Sequence, residues 1–262
     1  MKQNYDTATT SSTVFPSLRD RTVLVTGGAN GIGASIVEAF ALQGSRVGFL
    51  DLDREAASFL CDKFNAVRHK PTFEYCDIRD VDKLKKAIKD IGCRIGAVDI
   101  LINNAANDER FRLDEITPGQ WDDLQSSNLR HIVFASQAVL TDMAKKGKGS
   151  IINFSSPTFR RRTAKTGAYA TAKAGIEGLS RIMSREMGEK GIRVNTIMPG
   201  WTMTERQRNL WLTPEAEELL LETQCLKTHV MPDDIAKMVL FLSSDDARVI
   251  TAQTFIVDAG LV

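Results

Sequence analysis

Histidine and cysteine are scarce, with three of the first and four of the second in 262 residues. Cys61, Cys76, Cys93 and Cys225 stand far apart and form no C-x-x-C pair, which suits reduced thiols of a cytosol rather than a disulfide framework. His69, His131 and His229 show no ligand spacing, so no metal site is expected. Charge of one sign is lacking as well: 34 basic residues oppose 33 acidic ones, leaving +1 and no basic field for nucleic acid or an anionic membrane. Apolar runs such as Met238-Val239-Leu240-Phe241-Leu242 are far too short to cross a bilayer. Residues 1–13 are polar and rich in Ser and Thr, without the apolar core of a signal peptide. The expectation is therefore a cytoplasmic chain with a flexible N-terminal arm over residues 1–14.

What remains is a composition near the globular average and enough length for a substantial core. Short β-branched runs alternate with longer amphipathic stretches. Strands are expected at 22–26, 46–50, 72–76, 98–103, 150–154, 193–197 and 254–257, and helices at 31–43, 53–65, 80–91, 118–146, 168–189 and 232–243. Thr117-Pro118 opens the fourth helix, because Thr can cap and Pro suits the first helical position. Strands apolar on both faces and separated by helices require a parallel sheet covered on both sides. The expected architecture is α/β: one doubly wound, Rossmann-type domain over 15–262, with a central seven-stranded parallel sheet flanked by helices and ligands at the carboxyl ends of its strands.

The first strand runs into Thr26-Gly27-Gly28-Ala29-Asn30-Gly31-Ile32-Gly33. Glycine permits a sharp strand-to-helix turn and lets backbone amides approach a diphosphate at the positive end of the helix. The spacing is G-x-x-x-G-x-G rather than the common G-x-G-x-x-G, and alone it fits an ordinary turn equally. Asp51 adds weight, since it ends the second strand about 20 residues on, where an acid binds ribose hydroxyls and repels a 2′-phosphate. NAD is thereby expected over NADP. Asn30 offers no basic phosphate clamp; Asp53 reads as a helix cap and Arg54 as a solvated side chain that leaves some room for NADP.

Tyr169 and Lys173, in Tyr-x-x-x-Lys, share one helix face one turn apart. A phenol is a poor base at neutral pH, and a neighbouring ammonium favours its ionised form. Ser156 lies 13 residues before Tyr169 and can hydrogen-bond a reacting oxygen. By itself the pair also fits a surface Tyr and Lys. Joined to the glycine turn and Asp51, it points to hydride chemistry on a nicotinamide cofactor.

These motifs, together with Asp77 after the third strand, Asn103-Asn104-Ala105, Asn128, Arg193-Val194-Asn195 and Pro199-Gly200-x-x-x-Thr204, resemble the short-chain dehydrogenase/reductase family from Arg19 to the C-terminus. The resemblance implies that Tyr169 is the acid/base, that Lys173 binds the nicotinamide ribose and lowers the tyrosine pKa, and that Ser156 orients the substrate oxygen. Asn128 would hold a water relaying protons from Lys173. The cofactor would lie against Gly27, Asn30, Gly31, Ile32, Gly33, Asp51, Asp77, Ile78, Asn104, Ala105, Pro199, Gly200, Thr202 and Thr204, besides Tyr169 and Lys173. Ala106 stands where the family usually has glycine, which puts the cofactor contact there in doubt. The resemblance also implies a homotetramer paired through the helices near 118–146 and 168–189.

Within the family, residues 103–110, 127–131 and the stretch from Thr213 to Lys227 are similar to bacterial sugar 1-dehydrogenases acting on xylose, arabinose or galactose, which oxidise an aldose to its lactone. On this reading Asn107 and Asp108 reach a polyhydroxylated substrate; as plain residues they are also a polar turn. Arg160, Arg161, Arg162 and Lys165 form either a solvated face or, through Arg161, a grip on the carboxylate of a sugar acid such as a keto-deoxy-aldonate. Trp201 and Trp211 stack on a sugar ring or pack at a subunit contact. A polyol substrate, a ketoreductase acting on carrier-bound acyl groups and a non-catalytic NAD-binding regulator stay as rival readings; Asp51 speaks against the second, and the intact Ser156, Tyr169 and Lys173 against the third.

The segment at about 202–226 is expected to be a substrate lid, because a long break between sheet and final helix inside a compact fold is usually functional. It should be mobile without ligand and close with Trp211 near the sugar. Hydrogen exchange over 202–226 is expected to slow when cofactor and substrate bind together; protection already complete in the free protein would make the segment a fixed part of the fold.

Overall fold

Each inner strand is apolar on both faces, and the alternation sorts its side chains into two cores. Val23 and Val25, Ile100 and Ile102, and Ile152 and Phe154 face one layer, while Leu24, Leu101 and Ile151 face the other. The computed structural model describes residues 13–262, so most of the arm expected over 1–14 lies outside the described residues. The strands are β1 (Thr22–Thr26), β2 (Arg46–Asp51), β3 (Thr72–Tyr75), β4 (Ile100–Asn103), β5 (Gly149–Phe154), β6 (Ile192–Pro199) and β7 (Thr254–Val257). They form one sheet in the order β3-β2-β1-β4-β5-β6-β7, parallel throughout.

One layer holds α1 (Gly31–Leu42), α2 (Arg54–Lys63) and the C-terminal helix Pro232–Ser243; the other holds α3 (Val81–Ile95) and two helices discussed below. Local chemistry sets several starts. Asp53 accepts from Ala56 N at 3.0 Å to cap α2, and Asp80 accepts from Lys83 N at 3.1 Å to cap α3. Thr117 and Gln120 form a reciprocal capping box at α4 (Pro118–Gln125).

Two sequence expectations need correction. The helix expected over 118–146 is interrupted by a π-helical turn, Ser126–Arg130, between α4 and α5 (His131–Lys146). The side chain of Asn128 sits in that turn and bonds to Leu124 O at 2.9 Å, beside the Ser127 Oγ bond to Asp123 O at 2.8 Å. Side chains competing for backbone carbonyls are one cause of such irregular turns. Second, the stretch read as an irregular lid holds two helices, α7 (Glu205–Leu210) and α8 (Pro214–Thr223), after the long α6 (Gly167–Met187) and before α9 (Pro232–Ser243). Thr213 caps α8 by accepting from Ala216 N at 3.2 Å with Pro214 at its first turn, the same signal that marks α4. Met203, Leu220 and Leu261 form a small core beneath these helices, so the C-terminal tail is part of their support.

His131, the first residue of α5, is 1% exposed, and burial together with the nearby Lys173 charge pulls its imidazole down to about 3. Between that value and its ordinary one of 6.5 the unfolded chain binds a proton that the folded chain refuses. Stability therefore rises with pH across this window and is lost as pH falls through it. Melting temperatures measured from pH 7 to 4 should fall less steeply for His131→Leu than for the wild type; parallel profiles would show that the imidazole does not carry the acid limb.

Candidate functional site

At the carboxyl end of β1 the chain must turn into α1 within a few residues, and Gly27 and Gly31 take φ of +67° and +54° to do so. A Cβ on Gly33 would stand 1.8 Å from Gly27 O, a distance no side chain survives. Gly27 N donates to Leu50 O at 2.8 Å, and Ala29 N donates to the Asp51 carboxylate at 2.9 Å, so the tip of β2 fixes the turn. Asn30 precedes α1 without capping it; its amide donates to Asp53 at 3.0 Å instead. The first amides of α1, at Gly31, Ile32 and Gly33, therefore keep the unsatisfied, electropositive character of a helix start.

The adjacent strand closes the other side. Asn104 Nδ2 donates to Thr26 O and Gly27 O at 3.1 and 2.9 Å, while Asn104 N and Ala105 N both donate to Thr26 Oγ1 at 3.1 Å. Ala106 lines the cleft and adopts no left-handed backbone, so its methyl in place of hydrogen costs nothing conformationally. Asp51 spends its second oxygen on Leu52 N and Asp53 N, at 2.8 and 3.0 Å. Asp77 accepts from Arg79 at 2.7 to 3.2 Å, and that guanidinium holds its carboxyl below the usual range. Ile78 packs on the second core. From the far side Thr204, at the start of α7, brings its Cγ2 to 3.0 Å from where a Gly31 Cβ would be. The result is a groove with glycines for its floor, acids at its β2 and β3 end, and Pro199, Gly200, Thr202 and Thr204 at the other.

That groove opens into a cleft of about 380 Å³ lined by Asn104, Ser156, Tyr169, Lys173, Trp201, Thr204 and Gln207, among others. Lys173, on α6, is 2% exposed; its Nζ donates to Phe154 O at 2.8 Å and lies 5.5 Å from the Tyr169 ring centroid. Ser155 Oγ donates to Lys173 O at 2.8 Å, locking helix to strand, and leaves Ser156 to face the cleft beside Tyr169. Burial pulls Lys173 down to about 7 and pushes Tyr169 up to about 12, despite a hydrogen bond from Ser156 that lowers it. In the free protein Tyr169 thus moves opposite to the lowering expected from Lys173, because desolvation is its largest influence. An ionised phenol here calls for added positive charge in the groove.

Asn128 is fully buried and clamps the loop after β4, accepting from Asn107 N at 3.0 Å and donating to Asn107 O at 2.9 Å. With its other hydrogen on Leu124 O, both Nδ2 hydrogens are committed, so its side chain positions backbone rather than donating to a relay water. Asn107 itself turns away, its amide donating to Glu109 at 3.0 Å, and is absent from the cleft wall. Asp108 and Arg161 do line the cleft, but Asp108 is already engaged by Arg206 and Gln207, at 2.9 and 2.8 Å. Trp201 is in the wall, whereas Trp211 lies outside it under the Arg110 guanidinium, 3.7 Å from the ring centroid. Arg160 pairs with Glu177 at 3.3 Å. Arg110, Arg206 and Gln207 carry no local signal in the sequence as site residues, because the loop after β4 and α7, about 100 residues apart, meet only in the fold. The described residues hold no cluster of metal-ligand type.

The glycine floor, the open helix start and the buried ammonium fit a dinucleotide with its diphosphate at α1 and its nicotinamide at Tyr169. Comparison with known proteins agrees. A family model described as enoyl-(acyl carrier protein) reductase matches residues 27–262. A probable galactose dehydrogenase of Rhizobium meliloti is 46% identical over 97% of this chain and 99% of its own. A D-xylose 1-dehydrogenase of Caulobacter vibrioides is 42% identical over 95% and 99%. In structure, a blue fluorescent protein from a metagenomic library, crystallised in complex with NADPH, superposes with a TM-score of 0.87 at 30% identity, covering 94% of this chain and 99% of its own. With the motifs, the doubly wound sheet and these full-length likenesses in agreement, the chain belongs to the short-chain dehydrogenase/reductase family, whose members bind a nicotinamide cofactor.

Proposed function

We propose that this chain is an NAD-dependent dehydrogenase of a free aldose, oxidising the anomeric hydroxyl and giving the lactone. The observation that carries the reading is Ser156, Tyr169 and Lys173 meeting in one cleft, in a chain aligned end to end with a galactose and a xylose dehydrogenase. Tyr169 takes the hydroxyl proton; Ser156 Oγ holds the same substrate oxygen. Lys173 gives one of its three hydrogens to Phe154 O and keeps the others for the ribose hydroxyls. The nicotinamide, when bound, supplies the hydride acceptor and a positive charge that favours the phenolate. Asn128 contributes by fixing the loop at Asn107.

For the cofactor, Asp51 at the glycine turn and Asp53 beside it would meet a 2′-phosphate with two carboxylates, and Arg54 is drawn off onto the Tyr75 ring, 4.0 Å from its centroid. Both facts favour NAD. The reading includes a cytoplasmic homotetramer joined through the outer faces of α5 and α6. On α6, a Cβ at Gly178 would meet open space and Ile182 is 59% exposed, whereas Gly175 is used internally against Leu129.

A panel of aldoses, polyols and sugar acids with NAD tests the activity. Turnover of an aldose is expected, and Tyr169→Phe should lower kcat by about 10²- to 10⁴-fold, the usual range for a lost acid/base, while NADH still binds. Turnover of a sugar acid or polyol with none of any aldose would overturn the substrate class. The wild type should prefer NAD by at least about tenfold in kcat/KM, equivalent to about 1.4 kcal/mol, and Asp51→Ala should erode that preference. Equal efficiency with both cofactors in the wild type would refute the role given to Asp51.

A further inference from the structure

The cleft wall contributed by α7 is held by a chain of hydrogen bonds that also fixes the orientation of one amide. Trp201 Nε1 donates to Gln207 Oε1 at 2.9 Å, and Gln207 Nε2 donates to Asp108 Oδ2 at 2.8 Å. An indole N–H can only donate and a carboxylate can only accept, so the amide of Gln207 has one permitted orientation. Asp108 is itself pinned from the other side, its Oδ1 accepting from Arg206 Nε and Nη2 at 3.1 and 2.9 Å. Gln207 N donates to Thr204 Oγ1 at 3.2 Å, which ties this residue to the cap of α7.

Each end of the amide still has capacity: one hydrogen on Nε2 and one lone pair on Oε1 are unspent. Gln207 lines the same cleft as Ser156 and Tyr169, and Asp108 and Trp201 line it on either side. A hydroxyl is at once donor and acceptor, and two neighbouring hydroxyls on a sugar ring offer both functions at a fixed spacing. A rigid donor and acceptor side by side is the matching half of that pattern, and a site built to bond a hydroxyl rejects the analogue lacking it.

We propose that Gln207 is a specificity-determining residue that bonds a ring hydroxyl of the aldose away from the reacting carbon, with Asp108 and Trp201 as positioning residues that hold its amide in register. Sugar selection is then made across the two walls of the cleft, because Asp108 comes from the loop after β4 and Gln207 from α7. This rests on the sugar reading above. It differs from the direct contact expected of Asp108 in the sequence: the carboxylate acts through the amide that it orients.

Steady-state kinetics on the full-length protein with a parent aldose and its monodeoxy analogues test the idea, with NADH affinity from fluorescence as the check on folding. For Gln207→Leu, KM for the parent should rise by about tenfold, the scale of one to two hydrogen bonds, with little change in kcat. For one deoxy analogue, wild type and variant should give the same KM, since the bonding partner is already gone. Asp108→Asn should weaken the same discrimination while retaining NADH binding. Should Gln207→Leu fail to bind NADH, Gln207→Met, which keeps the length of the side chain without its donor and acceptor, decides the matter by the same comparison. An equal KM increase for the parent and every deoxy analogue would overturn the role of Gln207 and leave the aldose reading standing. Absence of aldose turnover in the wild type would overturn both.

Discussion

The site exists because β1 and β4, adjacent in the sheet, send their chains to opposite layers. From β1 the chain enters α1 in the layer with α9; from β4 it passes to α4 and α5, whose core is on the other face. Divergence leaves a crevice at the carboxyl ends, and an open crevice exposes backbone groups that need partners. Asn104 answers that need, since its single amide holds both Thr26 O and Gly27 O. The glycine turn and the groove floor are held by this tie where the two chains, paired as far as Thr26 and Asn103, leave the sheet.

The second organising constraint is burial of basic groups. Lys173 and His131 sit close enough for the charge of one to disfavour protonation of the other, and neither has a carboxylate in hydrogen-bond contact. Desolvation is costly for an unpaired charge, so the resting site favours a neutral imidazole and an easily deprotonated lysine. Burial likewise holds the Tyr169 phenol high, so all three groups favour their neutral forms in the free protein.

Much of the fold could be read from the chain because its signals are local. Two-faced apolar strands mark a parallel sheet, Asp53, Asp80 and Thr117 mark helix starts, and Tyr169 and Lys173 at helical spacing mark the cleft. What escaped depends on distant partners. The π turn holds Asn128 where it reaches Leu124 and Asn107 together, and nothing in 118–146 shows the second contact. Thr213-Pro214 carries the same start signal as Thr117-Pro118, yet the segment 202–226 that holds it reads as a lid rather than as two helices. Trp211 drew notice as an aromatic near the substrate, yet a cation from the loop after β4, Arg110, covers its ring. The direction of the Tyr169 shift is set by burial, which a sequence spacing does not reveal.

Asp51 carries a wider consequence. One of its oxygens holds Ala29 N in the glycine turn, and the other gathers Leu52 N and Asp53 N, so the carboxylate at the tip of β2 also builds the turn into α1. On the NAD reading proposed above, cofactor preference and loop geometry are linked through one side chain. A lineage, or an engineer, moving this scaffold toward a phosphorylated cofactor cannot merely delete the acid; a replacement must still accept the Ala29 amide. Small polar residues able to accept that bond, with a cation recruited from elsewhere, define the narrow path along which such a change can occur.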